Sequence, residues 1–486
     1  MNAVMRLRHL RVLVVVSRRC CLDQGRFVVI SFIQSFTGAD TVRRLGPAIT
    51  LLLVMQQGMA GVIEIYPGDS FDTAVDGLQP GDTLIVHEGA YNEDGRIAIT
   101  SAGTAAAPIL ITGAPNEAKP VINGTNPKHN VMVIEGAVSY VTVRGLEITG
   151  TGDGINLSGN IHHVTIEDNH VHDVTGVGLN FRSSMSHLLV RRNHIHDTHD
   201  TAEGMYIGCN YSGCRVTDSI FEQNLVHDTG SDASDSQGDG IELKQGSYNN
   251  IIRDNVIFNT RWPCIILYGT DGNPRNVVEG NVAWNCGDTG IQIQGEAVVR
   301  NNILFNTQGW GEGLTSQNHQ STVTDLEIVN NTIVGGGGAE CMVLRNWSGK
   351  ANMVLANNAL YCDGSTALRF VSGSAGVTVS ANLTVGSVSG TSGGTVSGRS
   401  TAQDFINAGA LNVWPSADSP LRGAANPAHT PGDDFNRNSR SAPSDVGAYE
   451  ADAVGANPGW AIQAAIKLLG PGDSIAPAAP TDVRVE

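Results

Sequence analysis

Between residues 153 and 294 acidic, basic and phenolic side chains recur at a spacing that would bring them together. Six segments each place a short alternating strand after a turn: Asp153–Ser158, Val177–Arg182, Glu203–Gly208, Asp239–Lys244, Pro263–Tyr268 and Thr289–Gln294. Period-two alternation turns Ile241 and Leu243 inward and Glu242 and Lys244 outward. If the segments stack at the usual strand spacing of about 4.8 Å, then Arg182, Tyr206, Glu242, Lys244, Tyr268, Gln292 and Gln294 share one face. Glu203 and Asp239, just before their glycines, lie at its edge. Glu203, Asp239 and Glu242 would bind a hard cation through oxygen, as Ca²⁺ requires. Lys244 beside such an ion would have a depressed pKa and could act as a general base. A solvated sheet face with Glu–Lys pairing is the plainer alternative.

Stacking is what a second pattern predicts. Asn followed by apolar residues and His, Phe or Trp recurs at Asn169, Asn193, Asn224, Asn255, Asn281, Asn302, Asn331 and Asn358, in steps of 24, 31, 31, 26, 21, 29 and 27 residues. Such a period with variable insertions is a solenoid signature, in which each coil buries its apolar face only against its neighbours. The copies are short alternating runs such as Val164-Thr165-Ile166, bounded by Gly, Asn and Asp, so the elements are strands and not helices. The expected fold class is all-β, a right-handed parallel β-helix. The recurrent Asn then forms an internal ladder that satisfies turn backbone groups of its own coil and the next. His172, His196 and His227 sit at fixed repeat positions and form a stacked column. A short helix over Asp69–Leu78 covers the first coil, strands begin at Gly81–Val86 and Gly89–Tyr91, and Asp445–Glu450 closes the body.

The organisation is therefore a leader over 1–60, one β-helix over 61–451 and a tail or linker over 452–486, within which Ala476–Thr481 is the most linker-like stretch. Arg43 and Arg44, the apolar run Leu45–Met55 and the small residues up to Ala60 form a secretory signal, preceded by an over-extended start. That apolar run is too short for a typical membrane span. A membrane-anchored amino terminus built from Leu10–Val16 and Phe27–Ile33 is the alternative. The chain is expected to be secreted or periplasmic, free of the membrane after signal cleavage, and monomeric. Cysteine usage agrees: beyond Cys20 and Cys21 the remaining six fall into near neighbours, Cys209 with Cys214, Cys264 with Cys286 and Cys341 with Cys362. In an oxidising compartment these are disulfides, with buried thiols as the alternative. The formal net charge of −17 becomes −23 without residues 1–60, which disfavours nucleic acid and anionic membranes as partners. An anionic substrate would need a metal or a local basic cluster to receive it.

The stretch Asp239–Asn250, followed by Arg253 and Asn255, resembles the active-site coil of the alginate lyase and chondroitinase B family. The next coil, Ile265–Gly269 with Asn276–Asn281, resembles it too, although Tyr268 stands where the family has Arg and the acid spacing before Lys244 differs. The segments near residues 81–91 and 445–450 resemble the terminal segments of secreted bacterial β-helix proteins that act on polysaccharides. The resemblance implies a Ca²⁺-dependent polysaccharide lyase acting on an acidic polysaccharide. Asp239 and Glu242, with Glu203, would hold the metal, and Lys244 would take the proton at C5. Tyr268 would protonate the leaving oxygen and Arg182 would position a carboxylate. Tyr206, Asn180, Gln292 and Gln294 would contact the sugar. A glycoside hydrolase using Glu203 with Asp239 or Glu242, a uronate C5-epimerase, and a non-catalytic carbohydrate-binding β-helix are the rival readings.

Overall fold

The computed structural model describes residues 60–305, 311–335, 338–451 and 459–470. The expected leader before Ala60, Cys20 and Cys21, and the stretch 476–481 lie outside the described residues. From residue 61 to Ser397 the chain winds as a parallel β-helix in which each coil contributes short strands to three faces. The first sheet stacks Ile161–Glu167, Leu189–Arg191, Ile220–Glu222, Ile251–Arg253 and Asn276–Glu279. The second stacks His170–Val174, His194–Thr198, Leu225–Thr229, Val256–Thr260 and Val282–Cys286. The third stacks Ile155–Gly159, Leu179–Phe181, Met205–Ile207, Ile241–Leu243, Ile265–Leu267 and Thr289–Ile293. Alternation does what it should: Ile195, Val226 and Ile257, and likewise Met205, Ile241 and Ile265, are fully buried in one continuous core.

The turn between the first and second sheets carries the ladder. Asp168, Arg192, Gln223 and Asp254 take left-handed φ there, and the next residue is always the ladder Asn. Asn193 shows the pattern: its backbone N–H and its Nδ2 both donate to Asn224 Oδ1 at 3.0 Å, and Nδ2 also donates to Ile166 O at 2.9 Å. The same bonds link Asn169 through Asn358 and run one step further, to Asn382. A shorter ladder of Ser219, Asn250 and Asn276 lies in another turn. The outward column of the first sheet alternates in sign coil by coil: Arg144, Glu167, Arg191, Glu222, Arg253, Glu279, Arg300.

The expected cysteine pairs are all disulfides: Cys209–Cys214, Cys264–Cys286 and Cys341–Cys362. The helix Phe71–Asp76 buries Phe71 and Val75, capped by Ser70 accepting from the Thr73 N–H at 3.2 Å. At the other end the coil finishes with Thr395–Ser397, and the chain folds back along the second sheet. Phe405, Trp414, Phe435, Tyr449 and Trp460 share a core there with Leu225, Val256, Val282, Ile303 and Phe305. Asp445–Glu450 therefore lies on the flank and not across the end. The Gly447 N–H donates to Asn357 O at 2.8 Å and the Ala448 N–H to Thr332 Oγ1 at 2.9 Å. Residues 459–470, within the expected tail, also rest on the coil. Buried Lys467 Nζ bonds Asp254 Oδ1 and Gly280 O at 2.8 Å and Phe435 O at 2.6 Å.

Candidate functional site

The third sheet positions the predicted residues by register. Asn180, Tyr206 and Glu242 follow one another in successive coils, then Ile266 and Gln292. One step along the strands, Lys244 has Gly208 and Tyr268 as coil neighbours. Its N–H donates to Ile207 O, and the Tyr268 N–H donates to Leu243 O. Gly208 has φ +90°, and a Cβ there would come within 3.2 Å of the Lys244 Cβ, so its bare backbone makes room for the lysine. Glu203 and Asp239 each precede a glycine, Gly204 and Gly240. A Cβ on either glycine would collide with the next coil at 2.4 Å, so the coils close tightly at these acids.

Glu203, Asp239 and Glu242 come together: an oxygen of each lies within 4.8 Å of the others, and all three side chains are buried. Lys244 Nζ makes a short ion pair with Glu242 Oε1, and the Tyr268 hydroxyl donates to the same oxygen at 3.3 Å. The ammonium also faces the rings of Tyr206 and Tyr268, at 4.5 and 5.2 Å from their centroids. Glu203 Oε2 is buried with no hydrogen-bond partner. Burial, with Glu242 adding to it, pushes Glu203 up to about 7. Asp239 is raised well above the carboxylate range, first by burial and then by Glu242 and Glu203. Tyr268 is raised by burial and by Glu242 and Asp239. Three buried carboxylates, one orphaned oxygen and a single ammonium make a donor set that fits a hard cation.

The remaining predicted residues are placed less uniformly. Arg182 is exposed and its guanidinium stacks on Tyr206 at 4.3 Å, touching none of the three acids. Asn180 Nδ2 donates to Asp153 Oδ2 at 2.8 Å, as does Asn156 Nδ2, while Asn180 Oδ1 is buried without a partner. Gln292 stands two coils from Glu242 with Ile266 between them. Gln294 is fully buried, and its Oε1 accepts from the Ser321 N–H at 3.1 Å, so it is occupied in holding a loop.

Lys244 leaves the core outward, as alternation predicts, yet it is only 6% exposed. Residues 317–322 reach back over earlier coils. Ser321 Oγ accepts from the Gly269 N–H at 2.9 Å, Gln320 Nε2 donates to Asn210 Oδ1 at 3.4 Å, and the His319 ring lies 6.0 Å from that of Tyr268. Asn210 is on the loop closed by Cys209–Cys214. Asp153, Asn156, His319 and Ser321 were not among the predicted residues. Asp153 heads the same strand column and was legible there, whereas a loop returning across coils leaves no periodic mark.

Two family models match the chain: a "Pel9A-like, right handed beta helix region" over residues 56–264 and a "Right handed beta helix region" over residues 226–383. No curated protein matches it. Among solved structures, XylC in complex with xylose aligns at a TM-score of 0.54 and 11% identity, over 80% of this chain and 98% of that one. Pectate lyase Pel9A aligns at 0.49 and 16%, over 81% and 97%. The family 6 alginate lyase AlyGC aligns at 0.45 and 20%, over 74% of this chain and 55% of that one. With the two family-model matches and parallel stacks in register, this chain is a right-handed parallel β-helix.

Proposed function

We propose that this protein is a secreted lyase that cleaves a uronic-acid-containing polysaccharide by β-elimination. The observation that carries the reading is the convergence of an ammonium and a phenol on one carboxylate oxygen, Glu242 Oε1, inside a set of three buried acids. Elimination needs a base for the proton α to the uronate carboxyl and an acid for the leaving oxygen. Lys244, as its neutral amine, takes the first part and the Tyr268 hydroxyl the second. The two side chains leave the same face from adjacent coils, so both can address a single sugar ring. Glu203, Asp239 and Glu242 would hold Ca²⁺, which when bound neutralises the substrate carboxylate and stabilises enolate-like charge. Arg182, exposed beside Tyr206, faces the approach of a polyanion and positions a second carboxylate. Asn180, Tyr206 and Gln292 border the sugar.

One observation favours a second reading. A carboxyl held at about 7 beside other carboxyls, as Glu203 is, suits the general acid of a glycoside hydrolase. Products separate the two. Purified protein is incubated with alginate, pectate, glucuronan and glycosaminoglycans, with and without chelator, and followed by ultraviolet absorbance and by reducing ends. The lyase reading expects an unsaturated product, suppressed by chelator, and a loss of at least about 10²-fold in rate for Lys244→Ala with folding retained. Reducing ends without unsaturation support the hydrolase. Full activity in the lysine variant removes Lys244 as the base.

A further inference from the structure

The outward face of the second sheet carries histidines where it is uncovered and apolar side chains where the returning chain packs on it. One row runs Glu147, His170, His194, Leu225, Val256, Val282; the other runs His172, His196, His227, Phe258, Trp284. The second row is a stack, with ring centroids 5.2 Å apart for His172–His196, 4.9 Å for His196–His227 and 4.7 Å for His227–Phe258. Beyond Phe258 the column belongs to the apolar cluster under Phe435 and Tyr449.

Each ring of the stack is oriented by its own neighbour. Asp173, Asp197 and Asp228 take left-handed φ of 49–51°, which folds each carboxylate back onto the preceding imidazole. The carboxylates meet Nδ1 of His172, His196 and His227 at 2.7, 2.7 and 2.6 Å. A carboxylate on Nδ1 fixes the tautomer that leaves Nε2 free to ligate and makes it more basic, the arrangement that supports metal-bound histidine. The Nε2 atoms face other rings or a carboxylate and not protein carbonyls. His196 Nε2 faces His170 Nε2 at 2.8 Å, and His172 Nε2 faces Glu147 Oε1 at 3.2 Å. Donor atoms of His170, His172 and His196 all lie within 4.8 Å of one another.

We infer that His170, His172 and His196 form a binding site for a divalent transition metal of the Zn²⁺ class, with Glu147 beside it as an oxygen donor and Asp173 and Asp197 as positioning residues. Imidazole nitrogens select Zn²⁺, Cu²⁺ or Ni²⁺ over the hard ions suited to carboxylates. Zinc–nitrogen bonds of about 2.0–2.1 Å separate tetrahedral ligand atoms by about 3.3 Å. The His170–His196 pair must therefore open by about half an ångström, and both rings are only partly buried. The site lies on a different stack of strands from Lys244 and does not depend on the lyase reading.

The test is calorimetric titration of tag-free, chelator-stripped full-length protein with Zn²⁺, in excess Ca²⁺ so that the carboxylate cluster does not compete. One Zn²⁺ equivalent is expected to bind. His196→Asn should weaken it at least tenfold. Asp197→Asn, which keeps every ligand, should weaken it by about ten- to a hundredfold. Glu203→Gln should leave it unchanged. Circular dichroism checks that each variant folds, and Cu²⁺ electron paramagnetic resonance should report nitrogen ligands that decrease in His170→Gln. Absence of Zn²⁺ binding by the parent protein, or unaltered binding in both His196→Asn and His170→Gln, would overturn the site and leave the column a hydrogen-bonded stack.

Discussion

Replacing Glu203 by Gln tests whether the buried acids are built for a cation. The side chain is 2% exposed, with Oε2 unpartnered, and burial raises its pKa from 4.5 to about 7. In the folded state the carboxyl keeps its proton up to about that pH; unfolded, it loses it near 4.5. The folded protein therefore binds the extra proton, so the favourable contribution is complete below pH 4.5 and lost as pH rises to about 7. At about 1.4 kcal/mol per pKa unit, the loss above pH 7 is about 3 kcal/mol. Glutamine imitates the protonated form at all pH values, so the variant lacks this loss. It also removes the charge that helps to raise Asp239, which works in the same direction. In chelator at pH 8, Glu203→Gln should be more stable than the parent by up to about 3 kcal/mol, and at pH 4 nearly equal to it. With Ca²⁺ at saturation the order should reverse, because only the parent retains all three acids and gains binding free energy. Guanidinium unfolding from pH 4 to 8, with chelator and with Ca²⁺, reads both effects. A glutamine variant less stable at pH 8 in chelator, or a difference independent of pH, would refute the reasoning.

Asn224→Ala should destabilise by about 3–4 kcal/mol, since it orphans the buried Asn193 N–H and removes a donor from Val190 O. Asn123→Ala, which breaks an exposed Asn–Asn bond between coils, should cost within about 0.5 kcal/mol in the same denaturation assay, and equal losses would count against the ladder. Replacing Cys264 and Cys286 together by Ala opens a loop of 22 residues and should cost about 3 kcal/mol, read as a lower denaturation midpoint that the parent shows only under reducing conditions.

Periodicity made the coil, the Asn ladder, the cysteine pairs and the histidine column legible, because a residue repeated once per coil has the same environment every time. Ladder membership followed from spacing alone, and so did the meeting of Glu242, Lys244 and Tyr268. What spacing could not reveal was cover. Lys244 and Gln294 read as outward positions, yet both are buried, Lys244 against the rings of Tyr206 and Tyr268 and Gln294 under Ser321 of a loop from a later coil. The flank position of Asp445–Glu450 was hidden for the same reason: its partners Thr332 and Asn357 are more than eighty residues earlier and share no pattern with it. Gln292 was placed on the shared face by alternation, and the register puts it in that column with Ile266 between it and Glu242.

Stacking also explains why the acidic cluster is electrostatically costly. Equivalent side chains of successive coils sit about 4.8 Å apart, where two like charges at a protein surface repel by about 3–4 kcal/mol. The first sheet avoids this by alternation, and Arg191, Arg253 and Arg300 bond Glu167, Glu222 and Glu279 at 2.7–2.8 Å. The second sheet avoids it with imidazoles: burial and neighbouring rings hold His170 down at about 4 and His194 at about 3, so both are neutral at pH 7. The third sheet does neither. Glu203 and Asp239 occupy the same position in successive coils, Glu242 joins them, and Lys244 pairs with Glu242. A sequence that alternates charge faithfully on one face has placed three acids together on another, under cover, with an oxygen left unpaired. Burial and the neighbouring acids raise both Glu203 and Asp239, so protonation relieves the repulsion at low pH, and the relief from Glu203 is lost above about 7.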